Sequence, residues 1–386
     1  MKTTKKIMII GTMDNTLYGF RGDFIKECIK NGHQVHVLVS EYSQQGLKKI
    51  ESLGAVVSTY KLSRGGLNPL SDLASTWQLK NKIKSIQPDI VFPYSTKPVI
   101  YGTLAAYHAR VPSIFGMIEG LGSPFTIHKH KQKFKSQLTR FMQVSLYRWV
   151  FRYLDKIMFL NQDDPRDLID NYNIPCKPNA VEVIGPIGLN LADYAYSRWD
   201  ESQPVSFIFI ARLIAEKGIF DFIEAAKIVK QQHPDAIFKI IGGLDPANPS
   251  ALSQTELDEL IASGLIQYDG YVSAVAQRIK ESAVFVLPSY YREGVPRSTQ
   301  EAMAVGRPVI TTDVPGCRDT VVPGVNGFLI PKWNAKVLAN KMLYFIHNPD
   351  QVNLMGMESF KIASAYFDVD KVNKKILNIM GLYEKK

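Results

Sequence analysis

Cysteine is scarce in this chain: Cys28, Cys176 and Cys317 lie far apart, with no C-x-x-C spacing. That excludes a disulfide framework and a clustered zinc site, and reduced thiols in a cytosolic protein are the simplest expectation. No run of about 18 apolar residues occurs, so no segment is expected to span a membrane. The N-terminal stretch "MKTTKKIMIIGTMDN" has a basic start. Its apolar run is too short for the core of a signal peptide and reads as a first strand. Short-period repeats and low-complexity segments are absent. Negative charge is under-represented too, with 36 Asp and Glu facing 46 Lys and Arg, a formal net charge of +10. Such an excess calls for an anionic partner, and nucleic acid, an acidic membrane face and a phosphorylated substrate all qualify.

What is present is ordinary globular material, 46% apolar and 21% charged over 386 residues. That length exceeds what one core fills and predicts two domains. Short apolar runs alternate with helical patterns: "KIMIIG" (6–11), "QVHVLVS" (34–40), "DIVFPY" (89–94), "SIFGMI" (113–118), "KIMFLN" (156–161) and "VEVIG" (181–185). The series resumes with "VSFIFIARL" (205–213), "IFKIIGG" (237–243), "IQYDGY" (266–271), "VFVLPS" (284–289), "PVITTD" (308–313) and "GFLIP" (327–331). Strands buried on both faces, each followed by a helix, predict parallel sheets in an α/β protein. The polar interval 188–204 reads as a linker. We therefore expect an N-terminal Rossmann-like domain at 1–189 and a second at 190–366, with a C-terminal helix at 367–386 packing back on the first. A ligand would bind where the carboxyl ends of both sets of strands face a shared crevice.

Chemistry concentrates in "YYREGVPRSTQEAM" (290–303), where Glu293 and Glu301 stand eight residues apart after an apolar strand. Gly294 permits close backbone approach, Val295 follows, and Pro296 suits a helix start near Arg297. The helix N-terminus offers N–H groups and positive dipole to a phosphate, and each glutamate could accept two hydroxyls of a sugar ring. A loop glutamate beside a solvated helix glutamate is the plain alternative for an isolated E-x7-E. Upstream, "ARLIAEKGIFDFIEAA" puts Arg212 and Lys217 at a strand-to-helix crossing, where alone they would read as a surface pair.

With "AMAVGRPVITTDVPGCRDTVVPGVNGFLIP" following in order, this set resembles the retaining family 4 glycosyltransferases of the GT-B fold, specifically over 205–331. The resemblance implies two Rossmann-like domains around a central crevice. It also implies Glu293 and Glu301 on the donor sugar and the nucleotide ribose, and Arg212 and Lys217 on the diphosphate. Fixed cations there stabilise the charge that grows on a departing nucleoside diphosphate more than they stabilise the ground state. No divalent metal or other cofactor is expected, since cations and helix ends take that role. "NQDDPRD" (161–167) looks superficially like an acidic metal motif, but capping by Asp163 or Asp164 is the better reading. In the family the loops at "IIGGLDP" and "YDGYVSA" shape the nucleotide pocket, which points to Gly243, Tyr271 and Val272.

In the first domain, Gly19 and Gly22 bracket Phe20-Arg21 at an expected helix start, where the family brings backbone near donor phosphates and acceptor. His33 reads as a helix C-cap. The loop "MIEGLGSPF" carries Ile118 and Glu119 where many members have a histidine, and it resembles the subgroup acting on polyprenyl-diphosphate-linked sugars. Glu119 is thus a candidate to bind the acceptor hydroxyl or to balance charge in the transition state, and Gly120 a candidate acceptor contact, with a purely structural loop as the alternative. In such retaining transfer the donor phosphate itself can take the acceptor proton. Finally, Lys129, Lys131, Lys133 and Lys135 crowd the start of an amphipathic pattern through Phe134, Leu138, Phe141, Met142, Leu146, Trp149, Val150 and Tyr153. Residues 128–142 are expected on an anionic membrane, and the half beyond Met142 is expected to be buried. The leading expectation is a peripheral enzyme on the cytosolic membrane face, moving a sugar from a UDP-sugar to a lipid-linked saccharide. A soluble acceptor is the second reading. A basic nucleic-acid-binding protein is a third class, disfavoured because no recognition module is present.

Overall fold

The computed structural model describes residues 4–62, 69–129, 134–272 and 274–383. Two compact units divide the chain. The first comprises Met1–Pro124, Lys133–Ile187 and Val369–Lys386, the second Phe125–Gln132 and Gly188–Asp368. Residues 125–129, expected in the first domain, therefore belong to the second unit.

The first unit holds β1 (Lys6–Ile10), β2 (Gln34–Val39), β3 (Val56–Thr59), β4 (Ile90–Pro93), β5 (Ser113–Ile118), β6 (Lys156–Phe159) and β7 (Val181–Val183). They form one sheet of order β3-β2-β1-β4-β5-β6-β7, parallel throughout. β3 is the strand that the apolar pattern misses. It is an edge strand with Val56 57% exposed, so no continuous buried run marks it. The helix Asp14–Lys30 buries Leu17, Arg21, Phe24, Ile25 and Cys28, and the C-terminal helix Val369–Ile379 packs against it. Asn31 is the C-cap of the first of these, through its backbone N–H and its side-chain amide to the Glu27 carbonyl, and the His33 N–H closes the same end on the Cys28 carbonyl at 3.1 Å. The His33 ring accepts from the Lys5 N–H at 3.3 Å and lies 3.3 Å from the Leu382 carbonyl. Near "NQDDPRD" the capping acceptor is Asn161, whose Oδ1 takes the Asp164 N–H at 2.8 Å.

The second unit holds β8 (Ser206–Ile210), β9 (Ile237–Ile241), β10 (Gln267–Tyr268), β11 (Val284–Leu287), β12 (Val309–Thr312) and β13 (Gly327–Ile330). Their order is β10-β9-β8-β11-β12-β13, again all parallel. β8 and β11 are buried at every position, as strands covered on both faces must be. Helix Ile219–Gln232 buries Ile219, Phe222, Ile223, Ala226 and Val229 at three- and four-residue steps, and Phe222 meets the ring of Phe209 at 5.5 Å.

The interval read as a linker is in fact packed. Trp199 is buried, and the Asn353 side chain brackets its backbone, accepting from the N–H at 2.9 Å and donating to the carbonyl at 3.1 Å. The buried Arg307 donates to the carbonyl of Ser197 at 2.6 Å. The polar composition of 188–204 reflects a segment held by its backbone, which hydrophobic periodicity cannot reveal.

Candidate active site

In the second unit the chain leaves β8 and β11 toward opposite edges of the sheet, so their carboxyl ends frame the switch point where open α/β sheets bind ligands. Arg212 and Lys217 lie in the turn after β8, and Glu293 to Pro296 in the loop after β11. Lys217 ends a 3-10 turn, Ala215–Lys217, and Gly218 behind it has φ +84°. A Cβ at Gly218 would fall 2.2 Å from the Pro288 carbonyl oxygen, so only glycine lets the lysine turn pack on the end of β11.

Lys217 Nζ pairs with Glu293 Oε1, and both side chains are mostly buried. The ammonium also stands 5.4 Å from the centre of the Tyr291 ring. Ser289 Oγ donates to the same Glu293 oxygen at 3.1 Å. Arg212 is more exposed and donates to Asp245 Oδ2 at 2.9 Å. Helix Arg297–Val305 starts at Pro296 with no side-chain cap, and first-turn N–H groups have no intrahelical acceptor. Gln300 Nε2 donates to the Val295 carbonyl at 3.1 Å, which ties the loop to its helix.

Glu301 is engaged from two sides. Tyr194 OH donates to its Oε1 at 2.8 Å and Arg297 Nε at 3.1 Å. Burial raises its carboxyl pKa, while Arg297 and Tyr194 pull the other way. The Tyr194 phenol is pushed up by burial and by the Glu301 charge. Arg297 is further anchored on the Gly188 carbonyl at 2.6 Å. Gly243 is roomy, and the steric demand falls on Gly242, where a Cβ would lie 1.8 Å from the Ala211 carbonyl oxygen. Gly242 N–H donates to the Gly270 carbonyl at 2.9 Å, which holds the stretch before Tyr271 and Val272 beside the end of β9; Tyr271 itself is 85% exposed.

The first unit carries a separate cluster at the ends of β4 and β5. Arg21 is 2% exposed and pairs with Glu119 Oε1, with Met117 Sδ 2.8 Å away and the Tyr94 ring centre at 4.9 Å. Ser95 Oγ donates to Glu119 Oε2 at 2.7 Å. Gly120, at φ +122°, turns the chain immediately afterwards. Arg21 thus presents Glu119 rather than a face of its own. The expected helix start at Gly19–Gly22 is corrected as well: the helix begins at Asp14, which places Gly19 and the half-exposed Phe20 inside it. Its N–H groups are also in use at the start, Asp14 donating to the Glu41 carbonyl at 3.1 Å and Asn15 to Asp14 Oδ1 at 2.6 Å.

Of the basic stretch, Lys131 and Lys133 lie outside the described residues, as do the side chains of Phe134 and Lys135. Lys129 places its charge near Asp221, whose carboxyl is pushed up by burial and drawn down by that lysine. Helix Phe134–Val150 buries Val144, Tyr147 and Val150. Leu138 and Phe141 are exposed in its first half; beyond Met142 Trp149 is exposed too, so that half is not buried all round as expected. Among the described residues no three His, Cys, Asp or Glu side chains converge as a metal site, and no helix is long and apolar enough to cross a membrane.

Sequence reading missed Ser289, Asp245, Tyr194, Arg297 and Ser95. Ser289 and Arg297 could have been flagged by adjacency to the E-x7-E. Asp245 stands within the quoted "IIGGLDP" and could have been flagged there, whereas Tyr194 and Ser95 come from distant chain and leave no local signal.

Comparison with known proteins bears on both units. The pattern described as "Glycosyl transferases group 1" matches residues 197–361, and "Glycosyl transferase 4-like" matches residues 6–161. The chain is 31% identical over 342 residues, 85% of each protein, to the N,N'-diacetylbacillosaminyl-diphospho-undecaprenol alpha-1,3-N-acetylgalactosaminyltransferase of Campylobacter jejuni. It is 27% identical to the UDP-Gal:alpha-D-GlcNAc-diphosphoundecaprenol alpha-1,3-galactosyltransferase of Escherichia coli, covering 79% of this chain and 78% of that one. Among solved structures, HepE of Anabaena in complex with UDP and glucose superposes with a TM-score of 0.77 at 18% identity, covering 98% of this chain and all of that one.

Proposed function

The chain belongs to the group 1 glycosyltransferases of the GT-B fold, and from that premise we propose that it transfers a sugar, with retention, from a UDP-sugar to a polyprenyl-diphosphate-linked saccharide. One observation carries the reading. Two cations after β8 and two carboxylates after β11 lie at the ends of the two strands that frame a single switch point. A nucleoside diphosphate fits that chemistry. Lys217, Arg212 and the N-terminus of helix Arg297–Val305 meet its phosphates, and the carboxylates accept hydroxyls. Asp245 would then yield Arg212 to the ligand. As the bond from the sugar anomeric carbon to the phosphate oxygen breaks, negative charge grows on that oxygen, and the cations stabilise it. The acceptor oxygen bonds to the same face of that carbon, and its proton passes to the departing phosphate. Support for the donor and acceptor classes comes from the relatives named for UDP-galactose and for diphosphoundecaprenol-linked sugars.

Transfer from a panel of UDP-sugars to diphosphate-lipid-linked acetamido sugars tests this reading, with the same reducing-end saccharides lacking the lipid diphosphate as comparison. We expect activity on the lipid-linked acceptors, unchanged in excess EDTA because protein cations do the phosphate work. Strict dependence on magnesium or manganese would remove the metal-free mechanism, and equal transfer to the lipid-free sugars would remove the acceptor class.

We further propose that the enzyme rests on the inner face of the cell membrane through helix Phe134–Val150. Leu138, Phe141 and Trp149 recur on one exposed face, and Arg140 and Arg148 but no acidic residue stand in the helix. Inserting an aromatic of this size yields about 1.5–3 kcal/mol each, so two of them decide the partition. The double variant Phe141→Ser/Trp149→Ser is expected to lose about tenfold or more of its sedimentation with anionic vesicles, while its thermal shift with UDP stays as in the wild type. Undiminished sedimentation would clear this face of the role.

A further inference from the structure

Glu216 stands in none of the roles above, yet its main chain and its side chain both bond to the loops that frame the site. It sits beside Lys217 and is 8% exposed. Its carbonyl oxygen accepts from Ser289 Oγ at 3.1 Å, from the Tyr290 N–H at 2.9 Å and from the Tyr291 N–H at 3.0 Å. Those are the residues that lead into Glu293. Its carboxylate turns the other way: Ser250 Oγ donates to Oε2, and His128 Nδ1 lies 3.9 Å from Oε1. The Ser250 carbonyl in turn accepts from the Ala215 N–H at 2.9 Å, closing a ring between the lysine turn and the 248–252 loop. A last tie comes from Thr126 Oγ1, which accepts the Arg292 N–H at 3.2 Å, one residue before Glu293.

The pattern has a physical meaning. The Lys217–Glu293 pair joins two separate loops, and its geometry depends on how those loops are spaced. The Glu216 main chain sets the spacing on one side. Its side chain fixes that peptide against rotation by bonding a hydroxyl in a third loop. A buried carboxylate needs such partners, and losing them frees the segment it belongs to. We infer that Glu216, held by Ser250, is a positioning residue that sets the Lys217–Glu293 pair without touching the donor. The idea rests on the glycosyltransferase reading for its kinetic test, and on the ligand-free protein for a second test that does not need activity.

Glu216→Ala should lower kcat by about tenfold to a hundredfold, since misplacement by about 1 Å costs on that order, while the KM for donor moves less than about threefold. Glu216→Gln keeps an acceptor oxygen for Ser250 and should recover most of the loss. Ser250→Ala should act in the same direction, and the double variant Glu216→Ala/Ser250→Ala should be no worse than Glu216→Ala alone, as residues acting through one bond are not additive. In the ligand-free protein, amide exchange across 289–293 should quicken in Glu216→Ala and Ser250→Ala alike. If the wild type transfers no sugar at all, the proposed function fails and the exchange experiment still judges this inference. Exchange that stays at wild-type rates, additive losses, or a loss confined to donor KM would each overturn it.

Discussion

Replacing Lys217 with alanine is expected to cut turnover by about a hundredfold or more, the size seen when one preorganised stabiliser of growing negative charge is lost. The structure gives the substitution a second consequence. Lys217 Nζ is a cationic partner of Glu293, and that carboxylate is only 11% exposed. Removing the lysine takes a counter-charge from a mostly buried carboxylate that also accepts from the Ser289 hydroxyl, so the placement of Glu293 is disturbed along with its charge balance. Arg212 is more exposed and already shares Asp245, so Arg212→Ala should cost less than Lys217→Ala. Steady-state kinetics on the two variants, with the fold checked by thermal melting, decides the matter. Wild-type turnover in both would remove these residues from the diphosphate site.

Why the sequence discloses one part of this site and hides another follows from how each contact is made. Arg212 with Lys217, and Glu293 with Glu301, are local spacings set by a strand end and a helix start, so they are visible in the linear chain. Both sheets were legible for the same reason, since strands buried on two faces leave unbroken apolar runs; β3 escaped because an edge strand needs none. Contacts closed by tertiary structure were not visible. Arg21 reads as an acceptor contact between two glycines, yet it is buried and paired with Glu119, nearly a hundred residues later in sequence. Glu216 reads as one more charge between Arg212 and Lys217, and its importance lies in a carbonyl that no side-chain pattern can announce. The interval 188–204 looked like a linker because polar composition signals looseness only where the backbone is unpaired, and here Asn353 and Arg307 pair it.

Gly316 offers the sharpest separation between chemistry and scaffold, because it holds no charge and touches the loop of Glu293 only through backbone. Its φ is +82°, and a Cβ there would lie 2.3 Å from the Gly294 carbonyl oxygen and 2.8 Å from that of Glu293. Those atoms cannot swing aside as a flexible side chain would, so alanine must push the loop away by a sizeable fraction of an ångström. Misplacement on that scale costs about a hundredfold in rate, and this is the loss expected for Gly316→Ala. Left-handed strain, about 1–2 kcal/mol, accompanies it and would lower stability by itself. Gly324 separates the two effects: it has φ +78° in the same unit, and a Cβ there meets nothing within 4 Å. Gly324→Ala should therefore show a similar drop in melting temperature with turnover close to wild type, while Gly316→Ala loses turnover out of proportion to its melting. Equal activity in the two variants at matched stability would show that the loop carrying Glu293 tolerates displacement, and the demand for glycine at 316 would then be one of folding alone.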